Sequence, residues 1–148
     1  MKEEAYNKVK DQVGPCGITC GTCVLGNGTI AETAEKTKEH ITGYGIKEWA
    51  PMVPGGKDIN WIETEKTLDW MSQYATCVGC GKGGGPPDCG IRSCATDNDY
   101  QLCSQCKELD DCNKFDFLQD YAKTLKNNLN ESVGLSKKEY IEKQLANS

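Results

Sequence analysis

Ten cysteines in 148 residues constrain this chain more than any other feature. They fall in two blocks. Cys16, Cys20 and Cys23 lie in CGITCGTC, and Cys77, Cys80, Cys89, Cys94, Cys103, Cys106 and Cys112 follow after a gap of more than 50 residues. Thiols at this density serve as a disulfide scaffold, as metal ligands or as the ligands of a redox cluster. The opening MKEEAYNKVK carries both charges and no apolar run, so neither a secretory leader nor an anchor is expected there. A cytoplasmic location is the expectation, and reducing conditions in that compartment disfavour disulfides. Metal becomes the leading reading.

The aliphatic content points the same way. Leu, Ile, Val and Phe supply 25 residues, a share below the ~20% at which a chain becomes hard to fold by burial alone. Metal ligation is then expected to supply what the core lacks.

Helical signals surround the cysteines. Residues 2–12 are rich in helix formers and stop at Gly14-Pro15. A polar helix is expected over 29–41, and another over 60–75 with Asn60 as its N-cap. In the latter, Trp61, Ile62, Glu65, Leu68, Met71 and Tyr74 recur at three- and four-residue spacing, the pattern of an ordinary core-facing stripe. Phe115, Leu118, Tyr121, Ala122, Leu125 and Leu129 predict a helix over 113–129. Ser136 and Glu139 form a capping box for a last helix over 136–146. Between Cys77 and Cys112, six glycines and two prolines suggest turns rather than regular elements.

The spacing of the thiols carries the ligand chemistry. Cys77-x2-Cys80 and Cys103-x2-Cys106 are two pairs with 22 residues between them, near the two-knuckle zinc pattern with its spacer of ~15–20. Two cysteines three positions apart in a tight turn direct both sulfurs at one ion, and adjacent Gly79 and Gly81 let the backbone bend. Cys16, Cys20 and Cys23 then offer three ligands of a second site, with Cys89, Cys94 or Cys112 as the fourth. The segments CGITC at 16–20 and CGIRSC at 89–94 echo one another. A site joining the two blocks would staple the intervening helices, so chelation is expected to unfold the chain.

The order CGITCGTC, CVGC, CGIRSCA and CSQCKELDDC resembles the small cysteine-rich bacterial and archaeal family catalogued as domain of unknown function 3795. The matching positions are Cys16, Cys20 and Cys23; Cys77 and Cys80; Ile91, Arg92, Cys94 and Ala95; and Cys103, Cys106 and Cys112. The resemblance spans residues 14 to about 118 and implies cysteine-ligated metal, usually supposed to be zinc, with no assigned reaction. Two segments depart from the family pattern. Leu109-Asp110-Asp111 stands where relatives often carry a proline, and the GKGGGPP insert is longer and richer in glycine.

Iron and sulfur are the competing chemistry. Cys-x3-Cys-x2-Cys is also the cluster triplet of radical enzymes, but 148 residues leave no room for the barrel they need. A 4Fe-4S electron carrier or a thiol-based redox protein of anaerobic metabolism is the stronger alternative, although the common ferredoxin run is absent. Gly81-Lys82-Gly83-Gly84-Gly85 lacks the Ser or Thr and the helix of a phosphate loop. His40, the only histidine, ends a polar helix and reads as a cap or an exposed residue. Arg92 is placed to stabilise a thiolate or to pair with an aspartate.

These readings combine into one expectation: a mainly α single domain over 1–148, small and metal-stabilised, with irregular cysteine-rich metal-knuckle loops. All ten cysteines are candidate metal ligands, for two Zn2+ ions or, in the alternative, a 4Fe-4S cluster. Closed four-thiolate sites leave no open position for substrate, so a binding or adaptor module with a protein partner is expected rather than an enzyme. The formal net charge of −5 and the lack of a basic block disfavour nucleic acid and acidic membrane surfaces.

Overall fold

The computed structural model describes residues 1–148. It is mainly helical, with seven α-helices, five short 3-10 turns and no β-strand. A single antiparallel bridge pairs Val13 with Thr19. No helix is long and apolar enough to cross a membrane.

Helix α1 (Glu3–Val9) carries Glu3 and Glu4 in its first turn and Lys8 in its last, the order that suits the helix dipole. It buries Val9 and delivers the chain to Gln12. Helix α2 (Thr29–Gly43) opens on Asn27, whose Oδ1 accepts from the Thr29 N–H and the Thr29 hydroxyl. It buries only Ala31, Ala34 and Ile41.

Short α3 (Ile46–Trp49) and two 3-10 turns lead to α4 (Trp61–Tyr74), where the Asn60 side chain accepts from the Glu63 N–H at 3.1 Å. Helix α4 packs along α2 and is tied to that region by Lys38–Asp69 and Lys47–Glu65 ion pairs. The apolar stripe expected of α4 is only half covered. Ile62 and Tyr74 stand exposed with Trp70, and no residue of the helix is fully buried. A single facing helix shields a narrow strip, and these positions lie beyond it.

Helix α5 (Gly90–Asp97) forms inside the glycine-rich segment where turns were expected. Ile91 and Ala95, four residues apart, are both buried and give it an inward edge. The helix expected over 113–129 is divided. Residues Asn113–Leu118 wind as a 3-10 turn, Gln119 takes φ +52°, and α6 (Asp120–Asn130) begins after it. The tighter winding sends Phe115 into the core and leaves Phe117 exposed. Helix α7 (Lys137–Ala146) starts with the full capping box, Ser136 N–H to Glu139 Oε2 at 2.8 Å and Glu139 N–H to Ser136 Oγ at 3.2 Å.

The core gathers Ile91, Leu102, Phe115, Leu125, Leu129 and Tyr140, with Cys103 among them. Cys16, Cys89 and Cys112 pack against its edge. The apolar centre and the cysteine loops thus share one surface.

Candidate metal centre

The N-terminal thiols are set by a tight loop. Val13 pairs with Thr19, Gly14 N–H donates to Ile18 O, and Cys20 N–H donates to Gln12 O, each bond at 2.9 Å. Cys16 sits at the tip. From the far end of the chain, the buried Tyr140 hydroxyl donates to Gly17 O and fixes that tip.

Cys77 and Cys80 meet this loop. Gly79, at φ +94°, makes the turn between them and donates its N–H to Cys77 Sγ at 3.4 Å. The next amide, of Cys80, donates to Cys20 Sγ at 3.4 Å across 60 residues. A Cβ on Gly14 would lie 3.2 Å from both Cys16 Sγ and Cys80 Sγ, so these sulfurs flank one glycine. Gly84 closes over Cys77, whose sulfur would be 2.5 Å from an added Cβ. Arg92 holds that loop by donating to Gly84 O at 2.5 Å and Pro86 O at 2.8 Å. Its guanidinium therefore orders the GKGGGPP insert through carbonyls, rather than through the thiolate or aspartate expected from its position. Cys16, Cys80 and Cys89 line a cavity of about 250 Å³.

The second group is separate. Cys94, Cys103, Cys106 and Cys112 line a cavity of about 30 Å³, closed by Ile91, Leu109 and Phe115. The Cys103–Gln105 3-10 turn is capped by the Gln105 side chain, whose Oε1 accepts from the Gln101 and Leu102 amides. Asn98 Nδ2 donates to Cys94 Sγ at 3.6 Å. Lys126 reaches from α6 to donate to Cys112 O at 2.8 Å and Asp110 O at 3.2 Å, and Asn130 donates to Asp110 Oδ1 at 2.7 Å. The Leu109-Asp110-Asp111 segment is thereby anchored to α6 through Asp110.

Ile91 borders both cavities. The CGIRSC element thus spans the divide, with Cys89 facing the N-terminal group and Cys94 the other. A backbone bond from Cys103 N–H to Pro15 O, at 2.9 Å, joins the groups directly.

The thiols also act on one another electrostatically, both within a group and, from Cys16 to Cys103, between the groups. Cys20 accepts a hydrogen bond from the Cys80 thiol and another from its amide, which lowers its pKa below the ordinary thiol value and raises that of Cys80. Burial, then the neighbouring Cys16, Cys112, Cys106 and Cys94, push Cys103 up to about 12. Burial also raises Cys16, with Cys89 and Cys20 contributing through their charge.

The spacing suggested that Cys77 and Cys80 share a site with Cys103 and Cys106. The fold groups them otherwise, because the 22-residue spacer contains α5, and the Cys103 turn docks on Pro15 instead of on the Cys77 turn. Cys23 lines neither cavity. His40 is exposed, edge-on to Tyr44. All ten cysteines are free thiols, and no three Cys, His, Asp or Glu side chains converge closely enough to grip an ion as they stand. Gln12 and Gln105, whose side chains each hydrogen-bond the backbone at one Cys-x2-Cys turn, are not singled out by the sequence. Gln105 lies inside CSQC, where its position was a usable signal, whereas Gln12 reaches its turn only through the fold.

A family model described as a protein of unknown function (DUF3795) matches residues 12–117. No curated protein and no solved structure matches the chain.

Proposed function

Since the chain belongs to the DUF3795 family, whose description assigns no activity, we propose that it is a small thiolate metal-binding protein in which zinc is structural and the folded unit serves as a binding or adaptor module. The observation that carries this reading is the grouping of Cys94, Cys103, Cys106 and Cys112 around one cavity of about 30 Å³ with apolar walls. Four thiols, no histidine and no carboxylate make a donor set that suits zinc, and four protein ligands leave no position for a reacting water. The thiols need to swing inward and lose their protons to bind, which couples metal to folding and to pH. Cys16, Cys20, Cys80 and Cys89, with Cys77 beside them, are the ligands proposed for a second ion. The exposed Ile62, Trp70 and Tyr74 on α4 support an adaptor role, since apolar side chains on one helix face suit a protein partner.

An iron-sulfur carrier is the second reading, favoured by the roomier cavity of about 250 Å³ beside Cys16, Cys80 and Cys89. Purification without oxygen separates the two. The zinc reading expects a colourless protein with about two zinc ions per chain and no acid-labile sulfide, whereas a brown protein with iron and sulfide would reject it.

A further inference from the structure

Gln12 lies between the end of α1 and the first cysteine loop, and each polar atom of its carboxamide is used. Nε2 donates to Lys8 O at 3.0 Å and to Val78 O at 3.1 Å, and Oε1 accepts from the Gly81 N–H at 3.0 Å. The last two partners, one within the Cys77–Cys80 turn and one just after it, lie more than 60 residues away in sequence. The carboxamide also fills the space where a Cβ on Gly79 would stand. Its own carbonyl takes the Cys20 N–H. One residue therefore grips Cys20 through its backbone and the Cys77–Cys80 turn through its side chain.

We propose that Gln12 is the positioning residue of the N-terminal thiol group, holding the Cys77–Cys80 turn in register with Cys20 so that sulfurs from both blocks face one another before any metal arrives. The chemistry requires it. Cys20 Sγ receives the Cys80 amide at 3.4 Å, and a slip of the turn by one residue would present a different amide and rotate Cys80 away. The turn has little apolar packing of its own: Val78 is exposed and Cys77 and Cys80 are only half-buried. Hydrogen bonds rather than core contacts hold it. Glutamine suits the task because it presents a donor and an acceptor side by side, matching the Val78 carbonyl and the Gly81 amide. Glutamate keeps the acceptor and faces the carbonyl with a charge, and methionine keeps the length with neither bond.

This rests on the metal-binding reading, so the test has one arm that needs no metal. In the reduced, metal-free chain, alkylation of each cysteine is followed by mass spectrometry for wild type, Gln12→Met and Gln12→Glu. Cys77 and Cys80 are expected to label about 10-fold faster in Gln12→Met, with Cys103 and Cys106 unchanged and Gln12→Glu intermediate. In the zinc-loaded chain, a chelator should strip one ion about 10-fold faster from Gln12→Met and the other at the wild-type rate. Unchanged labelling of Cys77 and Cys80, or equal acceleration at Cys103 and Cys106, overturns the proposal, because a general loss of stability moves both groups together. If wild type binds no zinc, the metal reading fails and the alkylation arm still decides the role of Gln12. Should Gln12→Met fail to fold, Gln12→Glu carries the comparison in both arms.

Discussion

The hydroxyl of Tyr140 donates a hydrogen bond to the carbonyl of Gly17 at 3.1 Å, joining the last helix to the first cysteine loop across 123 residues. Tyr140 is fully buried, so neither partner has water to fall back on. Burial, with Cys16 and Tyr121 nearby, pushes its pKa up to about 12. Tyr140→Phe should cost about 1–2 kcal/mol, since the Gly17 carbonyl loses its donor. Denaturant unfolding measures that loss. A phenolate absorbance titration should show the variant losing the latest-ionising tyrosine of wild type, with Tyr121, also raised by burial, still present.

Phe115 is the largest apolar side chain at the wall of the four-cysteine cavity and is 1% exposed. Phe115→Ala should destabilise by about 3–5 kcal/mol, the usual cost of emptying such a site. With so few aliphatic residues in reserve, the metal-free variant is expected to lose its cooperative melting transition, whereas excess zinc should restore it by mass action. Thermal melts with and without zinc provide the check.

Arg92 carries the GKGGGPP insert on two carbonyl contacts, to Gly84 and Pro86. Removing them in Arg92→Met should free the loop and open it to proteolysis between Gly81 and Asp88 while leaving the helices intact. Limited proteolysis with mass mapping tests this. Arg92→Lys should rescue it only in part, because one ammonium group cannot reproduce the two-pronged geometry.

The burial of Cys103 fixes a pH dependence. In the metal-free chain its pKa stands at about 12 against an ordinary 9.0, so the folded form keeps a proton that the unfolded form has released. Its contribution to stability is complete below pH 9 and is lost as pH rises toward 12. Zinc loading removes that alkaline loss, because ligated sulfurs are already thiolates, and makes the chain weaken instead as acid returns protons to sulfur. Denaturation midpoints of the metal-free chain should fall as pH rises from 9 toward 12, whereas those of the zinc-loaded chain should fall as pH drops into the acid range.

Some elements were legible in the sequence because their signals are local. Asn60 before α4 and Ser136 with Glu139 before α7 cap their helices through bonds that span three residues. Elements that depend on distant partners were not. Helix α5 forms because Ile91 and Ala95 find the core, and the break at Gln119 follows from seating Phe115. Local propensity records neither requirement. The grouping of the thiols was hidden for the same reason. Spacing reveals that Cys103 and Cys106 share a turn, but which turn they face is decided by the bond from Cys103 to Pro15 and by Ile91 standing between the cavities.

The central claim is that Cys94, Cys103, Cys106 and Cys112 hold one ion while the N-terminal group holds another. Native mass spectrometry of zinc-loaded protein tests it with Cys94→Ser, Cys106→Ser and Cys80→Ser, singly and in pairs. The account predicts that Cys94→Ser and Cys106→Ser each lose one ion and that their combination loses no more. Cys80→Ser combined with Cys106→Ser should lose two. Loss of the same single ion by Cys80→Ser and Cys106→Ser, with the pair losing no more, or a wild-type mass without bound metal, would contradict it.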